Sequence, residues 1–249
     1  SKGKTTVLVA SAASWRPEED VALKALRLLD EASTTGYERL RQQHADWWAS
    51  FWSRTFVHLT SLDGVAQFME RVRCLHLYYM ASSSRGSLPA KWNGSLFAVD
   101  GDKRKWGSQF WVWTTESAYY PLYASDAIEL TEPFFRMYVK QLPDAWKAGA
   151  QRWGVEGAFY PETTPFNGPL ILPDDVGKEF REIYLGRRAK ERMSARTRDW
   201  CGFDSGLGAV TGRDRGRYSW ITHMVSSGSE LAVQAWWRFR YTGDVAWLR

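Results

Sequence analysis

Thr131-Glu132-Pro133-Phe134-Phe135-Arg136-Met137-Tyr138-Val139-Lys140-Gln141-Leu142-Pro143-Asp144 decides the fold class. Thr131, Glu132 and Pro133 form a helix start, with the cap residue and the early proline in the expected order. Phe134, Phe135, Tyr138, Val139 and Leu142 then recur at helical spacing, so one face is apolar. Pro143 and Asp144 repeat the start signal, and a second helix runs on through Trp153. Two helices joined by so short a connection make a helical hairpin.

The same periodicity extends both ways along the chain. Pro17 opens a segment in which Val21, Ala25, Leu28 and Leu29 share a face, ending before Gly36. Tyr37, Leu40, His44, Trp47, Trp48, Phe51 and Trp52 form the stripe of a second helix. Val65, Phe68, Met69, Val72, Leu75, His76 and Tyr79 form that of a third. Asp174 and Asp175 begin a charged helix reaching about Met193. Ser229 to Tyr241 is another, carrying Leu231, Gln234, Ala235 and Arg238, before Thr242-Gly243-Asp244 stops it and opens the next. Only Thr5-Thr6-Val7-Leu8-Val9-Ala10 reads as a strand. Residues 84–115 and 154–173 are long connections rich in Gly, Pro, Asn and Trp, of the kind that more often carry function than filler.

Composition narrows the function. The 249 residues include 15 Trp, and 44% are hydrophobic, which excludes a disordered chain. No apolar run approaches the roughly 20 residues of a membrane-spanning helix. The 33 Lys and Arg exceed the 28 Asp and Glu by five, a small surplus for a nucleic-acid partner. The densest basic run, Arg187 to Arg198, reads as the solvated face of a helix and its following loop. Four histidines lack metal-ligand spacing, and Cys74 and Cys201 make no disulfide framework, so no cofactor is expected.

Three constellations carry possible chemistry. Trp92, Asn93, Trp106, Trp111, Trp113, Thr115 and Glu116 crowd one region with flat apolar faces, amides and a carboxyl. Sugar sites use those groups for C–H-rich ring faces and for hydroxyls. Glu162 lies between Pro161 and Pro165 with Phe159, Tyr160 and Phe166 around it. That niche would raise its pKa, as a general acid requires, although a helix-capping glutamate reads the same way. His223 stands before a helix whose first turn holds Glu230, where the dipole favours a carboxylate.

These residues resemble the catalytic domain of glycoside hydrolase family 95 and its relatives. The resemblance rests on Trp92-Asn93, Trp106-Gly107-Ser108, Thr115-Glu116 and Tyr119-Tyr120-Pro121. It continues in Phe159 to Thr163, Ser227 to Leu231, and Tyr241-Thr242-Gly243-Asp244. It implies a mainly α fold, an (α/α)6 barrel of the six-hairpin glycosidase type, incomplete in this chain, with a short β remnant at the start. Residues 1–15 would end a preceding β-sandwich, 16–53 form linker helices, and 54–249 make the first part of the barrel. The chain starts at Ser1 and its last helix is cut at Arg249, so the rest of a longer polypeptide is the expected partner.

The implied activity is exo-acting, inverting hydrolysis of a glycosidic bond in a poly- or oligosaccharide. Where family 95 carries Asn-x-Asn, this chain has Val112 and Thr114. The expected catalytic pair is Glu162 and Glu116. Trp92, Asn93, Trp111, Trp113, Thr115, His223 and Glu230 are expected to bind substrate. The basic balance favours an anionic glycan. The alternatives are a non-catalytic carbohydrate-binding helical module and a nucleic-acid-binding helical protein, the latter disfavoured, and no membrane partner is expected. The resemblance implies an extracellular or periplasmic location, while the chain itself shows no targeting segment.

Overall fold

The computed structural model describes residues 3, 5–14, 16–91, 109–165, 171–200 and 224–249. It divides into two compact units, residues 1–56 and 57–249. In the first, helices α1 (Val21–Thr35) and α2 (Tyr37–Arg54) pack on each other across Gly36. Gly36 takes φ +79°, a left-handed conformation that costs glycine little. The start of α1 is Asp20, whose carboxylate accepts the Leu23 N–H, so Pro17 lies in the turn before the helix. On α2, Trp47 stacks on Phe51 at 5.4 Å and Trp48 on Trp52 at 5.8 Å. The strand expected at Thr5–Ala10 is a correction: residues 5–14 have no regular structure. An extended segment without a neighbour to take its N–H and C=O groups has no ladder to hold it.

The second unit starts with α3 (Val65–Ser83). A two-stranded antiparallel ribbon follows, β1 (Gln109–Trp111) on β2 (Thr163–Pro165). Between the strands run α4 (Val112–Ala124), α5 (Glu132–Lys140) and α6 (Leu142–Trp153). After β2 come α7 (Asp174–Tyr184), α8 (Ala195–Trp200), α9 (Ser226–Thr242) and α10 (Val245–Leu248). The chain is mainly helical, and no described helix is long and apolar enough to cross a membrane. The expected hairpin is there, with Gln141 alone between α5 and α6.

Helix α4 is central to this unit. Leu77, Met80, Val112, Tyr119, Leu122, Leu130 and Phe134 are essentially inaccessible to water, each such large side chain contributing about 1.5–3 kcal/mol by leaving water. The Tyr119 hydroxyl joins three segments. It shares a 2.7 Å hydrogen bond with the Ser84 hydroxyl and accepts the Ala90 N–H at 2.8 Å, while its ring lies 4.9 Å from Phe134. Helix α9 packs along α4 through the buried residues Ser227, Leu231, Gln234 and Arg238. That spacing places Leu231, Gln234 and Arg238 on the inner stripe, as their periodicity predicts. Tyr241 stays exposed.

Two further expectations need correction. Residues 112–115 belong to a helix and 109–111 to a strand, so the connection expected through 115 ends earlier. The charged helix expected to reach Met193 stops at Tyr184. Gly186 follows at φ +70°, where the chain turns and a short 3-10 turn (Lys190–Arg192) forms instead. The basic run folds back onto the acidic face of α7. Arg188 pairs with Glu179 at 2.9 Å, Arg187 with Glu182 at 3.5 Å, and Arg196 with Asp175. Glu179 also accepts the Ser194 N–H and the Ser194 and Thr197 hydroxyls. Against the upward push of burial, these donors and Arg188 hold its carboxyl below the usual range.

Candidate active site

The short ribbon brings two distant glutamates together. Pairing of Phe110 with Thr164 and Trp111 with Thr163 sets Glu162 against the start of α4. The Val112 N–H donates to the Glu162 carbonyl at 2.8 Å, and the Trp113 N–H to the Glu162 side chain (Oε1) at 3.2 Å. Glu162 thus satisfies first-turn N–H groups of α4 that have no partner inside the helix. Its other oxygen lies 3.5 Å from the Ser227 hydroxyl on α9. The capping reading of Glu162 is therefore realised across the chain.

Glu116 is one helical turn beyond that start. The Tyr120 hydroxyl donates to its Oε1 at 2.7 Å. The charge of Glu230 on α9 acts on Glu116 and raises its titration. The Oε2 atoms of Glu116 and Glu230 are both buried without a hydrogen-bond donor. Because α9 begins at Ser226, Glu230 sits just beyond the first turn in which it was expected.

The surroundings shift both titrations. Burial, set against the Tyr120 hydroxyl and reinforced by Glu230 and then Glu162, pushes the Glu116 carboxyl up to about 7. Burial also pushes Glu162 up to about 7. The Trp113 N–H and the Ser227 hydroxyl oppose the rise, and Glu230 adds to it. Both carboxyls are only 1% exposed, and Glu230 is more open. Apposed carboxyls with shifted titrations are a recurrent mark of acid–base sites.

Residues outside the expected set complete this environment. The Tyr123 hydroxyl donates to Gln234 Oε1 at 2.6 Å, and Gln234 Nε2 donates to the Glu116 carbonyl at 3.4 Å. Tyr138 is buried beside Glu162 and Glu116, and its hydroxyl has no hydrogen-bond partner. Tyr160 donates to the Tyr138 carbonyl at 2.7 Å and stands edge-on to its ring. Gln234 and Tyr138 lie on helix stripes, which in sequence mark packing. Their polar atoms were the only signal of another role.

Of the expected substrate-binding residues, Trp113 is 60% exposed and Trp111 half-buried. Thr115, expected to bind a hydroxyl of the substrate, is fully buried, and its Oγ1 has no hydrogen-bond partner. Trp92, Asn93 and His223 lie outside the described residues, as do Trp106 and Cys201. Among the described residues no group of His, Cys, Asp and Glu is arranged to hold a metal ion.

Comparison with known proteins points to enzymes that act on glycosidic bonds. The chain is 28% identical to maltose phosphorylase of Bacillus subtilis (strain 168) over 162 residues, 65% of this chain and 20% of that protein. It is 28% identical to nigerose phosphorylase of Lachnoclostridium phytofermentans over 141 residues, 57% of this chain and 18% of that protein. The chain thus spans about a fifth of the length of these relatives. Both are phosphorylases, which are not hydrolases. No family profile matches the chain, and no solved structure does.

Proposed function

We propose that this chain forms part of a carbohydrate-active enzyme that cleaves a glycosidic bond by acid–base chemistry at Glu116 and Glu162. The observation that carries the reading is the apposition of Glu116, Glu162 and Glu230 in one enclosed cluster, two of them titrating near neutral pH. Glycosidic cleavage needs one carboxyl to protonate the leaving oxygen and another to act on the anomeric side. Similarity to the two phosphorylases supports the same bond class. Exposed Trp113 offers a flat face at the N-terminus of the same helix.

The resemblance to family 95 favours water as the acceptor, in an exo-acting and inverting hydrolysis, whereas the phosphorylase relatives favour phosphate. Phosphate brought beside whichever carboxyls of the cluster are ionised meets like charge, which supports water. The same repulsion applies to an anionic glycan, so a neutral sugar fits the cluster better than the anionic one expected from net charge. The test is incubation of the full-length polypeptide with maltose, nigerose and α-L-fucosides, with and without inorganic phosphate. Release of free sugar independent of phosphate is expected. Cleavage only with phosphate, yielding a sugar phosphate, makes the enzyme a phosphorylase. No cleavage of any glycoside, with binding retained, favours a second reading, a non-catalytic carbohydrate-binding module. That second reading is supported by Glu162, whose contacts are those of a helix cap.

A further inference from the structure

We infer that Tyr120 is the positioning residue of Glu116: its hydroxyl holds one carboxyl oxygen in place and favours the ionised form, so that Glu116 can both take and give a proton. The part in catalysis rests on the function proposed above; the hydrogen bond and its effect on Glu116 do not. Tyr120 belongs to the Tyr119-Tyr120-Pro121 motif but is not among the residues expected from sequence to bind or to react.

Tyr120 and Glu116 are four residues apart on α4, so one turn of helix sets the hydroxyl beside the carboxyl. The hydroxyl donates to Oε1 at 2.7 Å, while Oε2 is buried without a partner. Among the described residues, Tyr120 therefore supplies the donor that this carboxyl has. Glu116 is 1% exposed, so bulk water is withheld as a substitute. Burial and the neighbouring Glu116 push the tyrosine titration up, so the hydroxyl keeps its proton and stays a donor. An O–H binds a carboxylate more strongly than a neutral carboxyl, and so favours the charged form.

The tyrosine ring is held from α9. Trp237 stands edge-on to it, with the centroids 5.2 Å apart. Gln234, on the same helix, accepts the Tyr123 hydroxyl at its Oε1, which leaves its Nε2 turned to the Glu116 carbonyl at 3.4 Å. The side chain and the backbone of Glu116 are thus each met by a donor, one from α4 and one from α9.

The other groups around Glu116 do not take the place of Tyr120. Burial raises its titration most, and the charges of Glu230 on α9 and of Glu162 before β2 add to the rise. Tyr123 on α4 and Tyr138 on α5 are neutral neighbours, their titrations pushed up by burial. Arg238 on α9 is engaged by Glu132 and lies over the Trp247 ring at 3.8 Å. His76 on α3 interacts with the backbone at Ala118. Tyr120 opposes the rise, and the balance leaves Glu116 at about 7. A carboxyl in that range serves as acid or as base in neutral solution.

The test is infrared titration of carboxyl groups in the full polypeptide. Glu116→Gln identifies the step that belongs to Glu116, expected at about pH 7. Tyr120→Phe keeps the ring beside Trp237 and removes the donor, and the step is expected to move up by about one pH unit. Tyr120→3-fluorotyrosine strengthens the donor and should move the step down by a smaller amount, so a failure of Tyr120→Phe to fold leaves a second variant to decide. Tyr119→Phe deletes hydrogen bonds to Ser84 and Ala90 from the same helix but none to Glu116, and should leave the step in place. Where a glycoside is cleaved, the limb of the kcat/KM profile governed by Glu116 moves up with the step in Tyr120→Phe. A step unmoved in either folded Tyr120 variant, or moved as far in Tyr119→Phe, overturns the inference, as does a profile that stays in place while the step moves. A moved step without cleavage of any glycoside leaves the Tyr120–Glu116 pair standing and removes the carbohydrate reading. Cleavage with an unmoved step does the reverse.

Discussion

The backbone N–H of Trp113 donates to the side chain of Glu162 at 3.2 Å, so a carboxyl 49 residues further along the chain caps helix α4. One contact thereby links the ribbon, the first turn of the central helix and the acidic cluster. Glu162→Ala removes the acceptor. At pH 5, where the loss of a buried charge plays little part, the cost is expected to be about 1 kcal/mol, read from urea denaturation. Glu162→Gln keeps an oxygen acceptor and should stay within about 0.5 kcal/mol of wild type at that pH.

Stability should fall as pH rises through neutrality. Glu116 and Glu162 titrate near 7 in the folded protein, against 4.5 for an ordinary glutamate. Between those values the folded state holds more protons than the unfolded one, so unfolding free energy decreases with rising pH. The contribution is complete below about pH 4.5 and is lost as pH passes 7. Thermal denaturation from pH 4.5 to 8 should show this slope. Glu116→Gln and Glu162→Gln should each flatten it, whereas a slope unchanged in both would show that neither carboxyl is responsible.

Glu116→Gln should lower kcat by about 10²–10⁴-fold, the usual contribution of a positioned acid or base, with KM little changed. Trp113→Ala should act the other way. Its exposed ring contributes little to folding, so stability is expected to stay within about 0.5 kcal/mol. Loss of a stacking face should raise KM by up to about tenfold. Steady-state kinetics on the cleaved glycoside separates the two effects.

Gly149 on α6 should not tolerate a side chain. A Cβ added there would collide with the backbone carbonyl of Gly157, in the segment that leads into Glu162. The neighbouring Phe159 N–H donates to Ala145 on the same helix at 2.8 Å, so the segment has little freedom to move away. Gly149→Ala is expected to destabilise the protein by about 1–3 kcal/mol, measured by thermal or chemical denaturation. Gly157→Ala, which meets open space, should be much milder.

The helices were legible because their signals are local. Thr131 to Asp144 announced two helix starts, and the α9 stripe named Leu231, Gln234 and Arg238 as an inner face. Where the sequence misled, long-range structure prevailed. Thr5–Ala10 has strand composition without a pairing partner, and the charged run toward Met193 has helical composition but breaks at Gly186. Thr115 sits in a polar, tryptophan-rich stretch yet faces inward, because that stretch coils into α4 and one residue in each turn must point to the core.

By itself the sequence determined a mainly helical chain, an acidic and aromatic inventory suited to sugars, and the three glutamates at issue. Those properties follow from residue type and from a period of 3.6 residues, and both are carried by neighbours in the chain. Only the tertiary structure decided how the glutamates differ. A carboxyl's protonation depends on what faces it within a few ångströms, and sequence separation does not report that distance. The ribbon gives Glu162 the donors Trp113 and Ser227, whereas α9 sets Glu230 against Glu116. Identical side chains thereby acquire different surroundings.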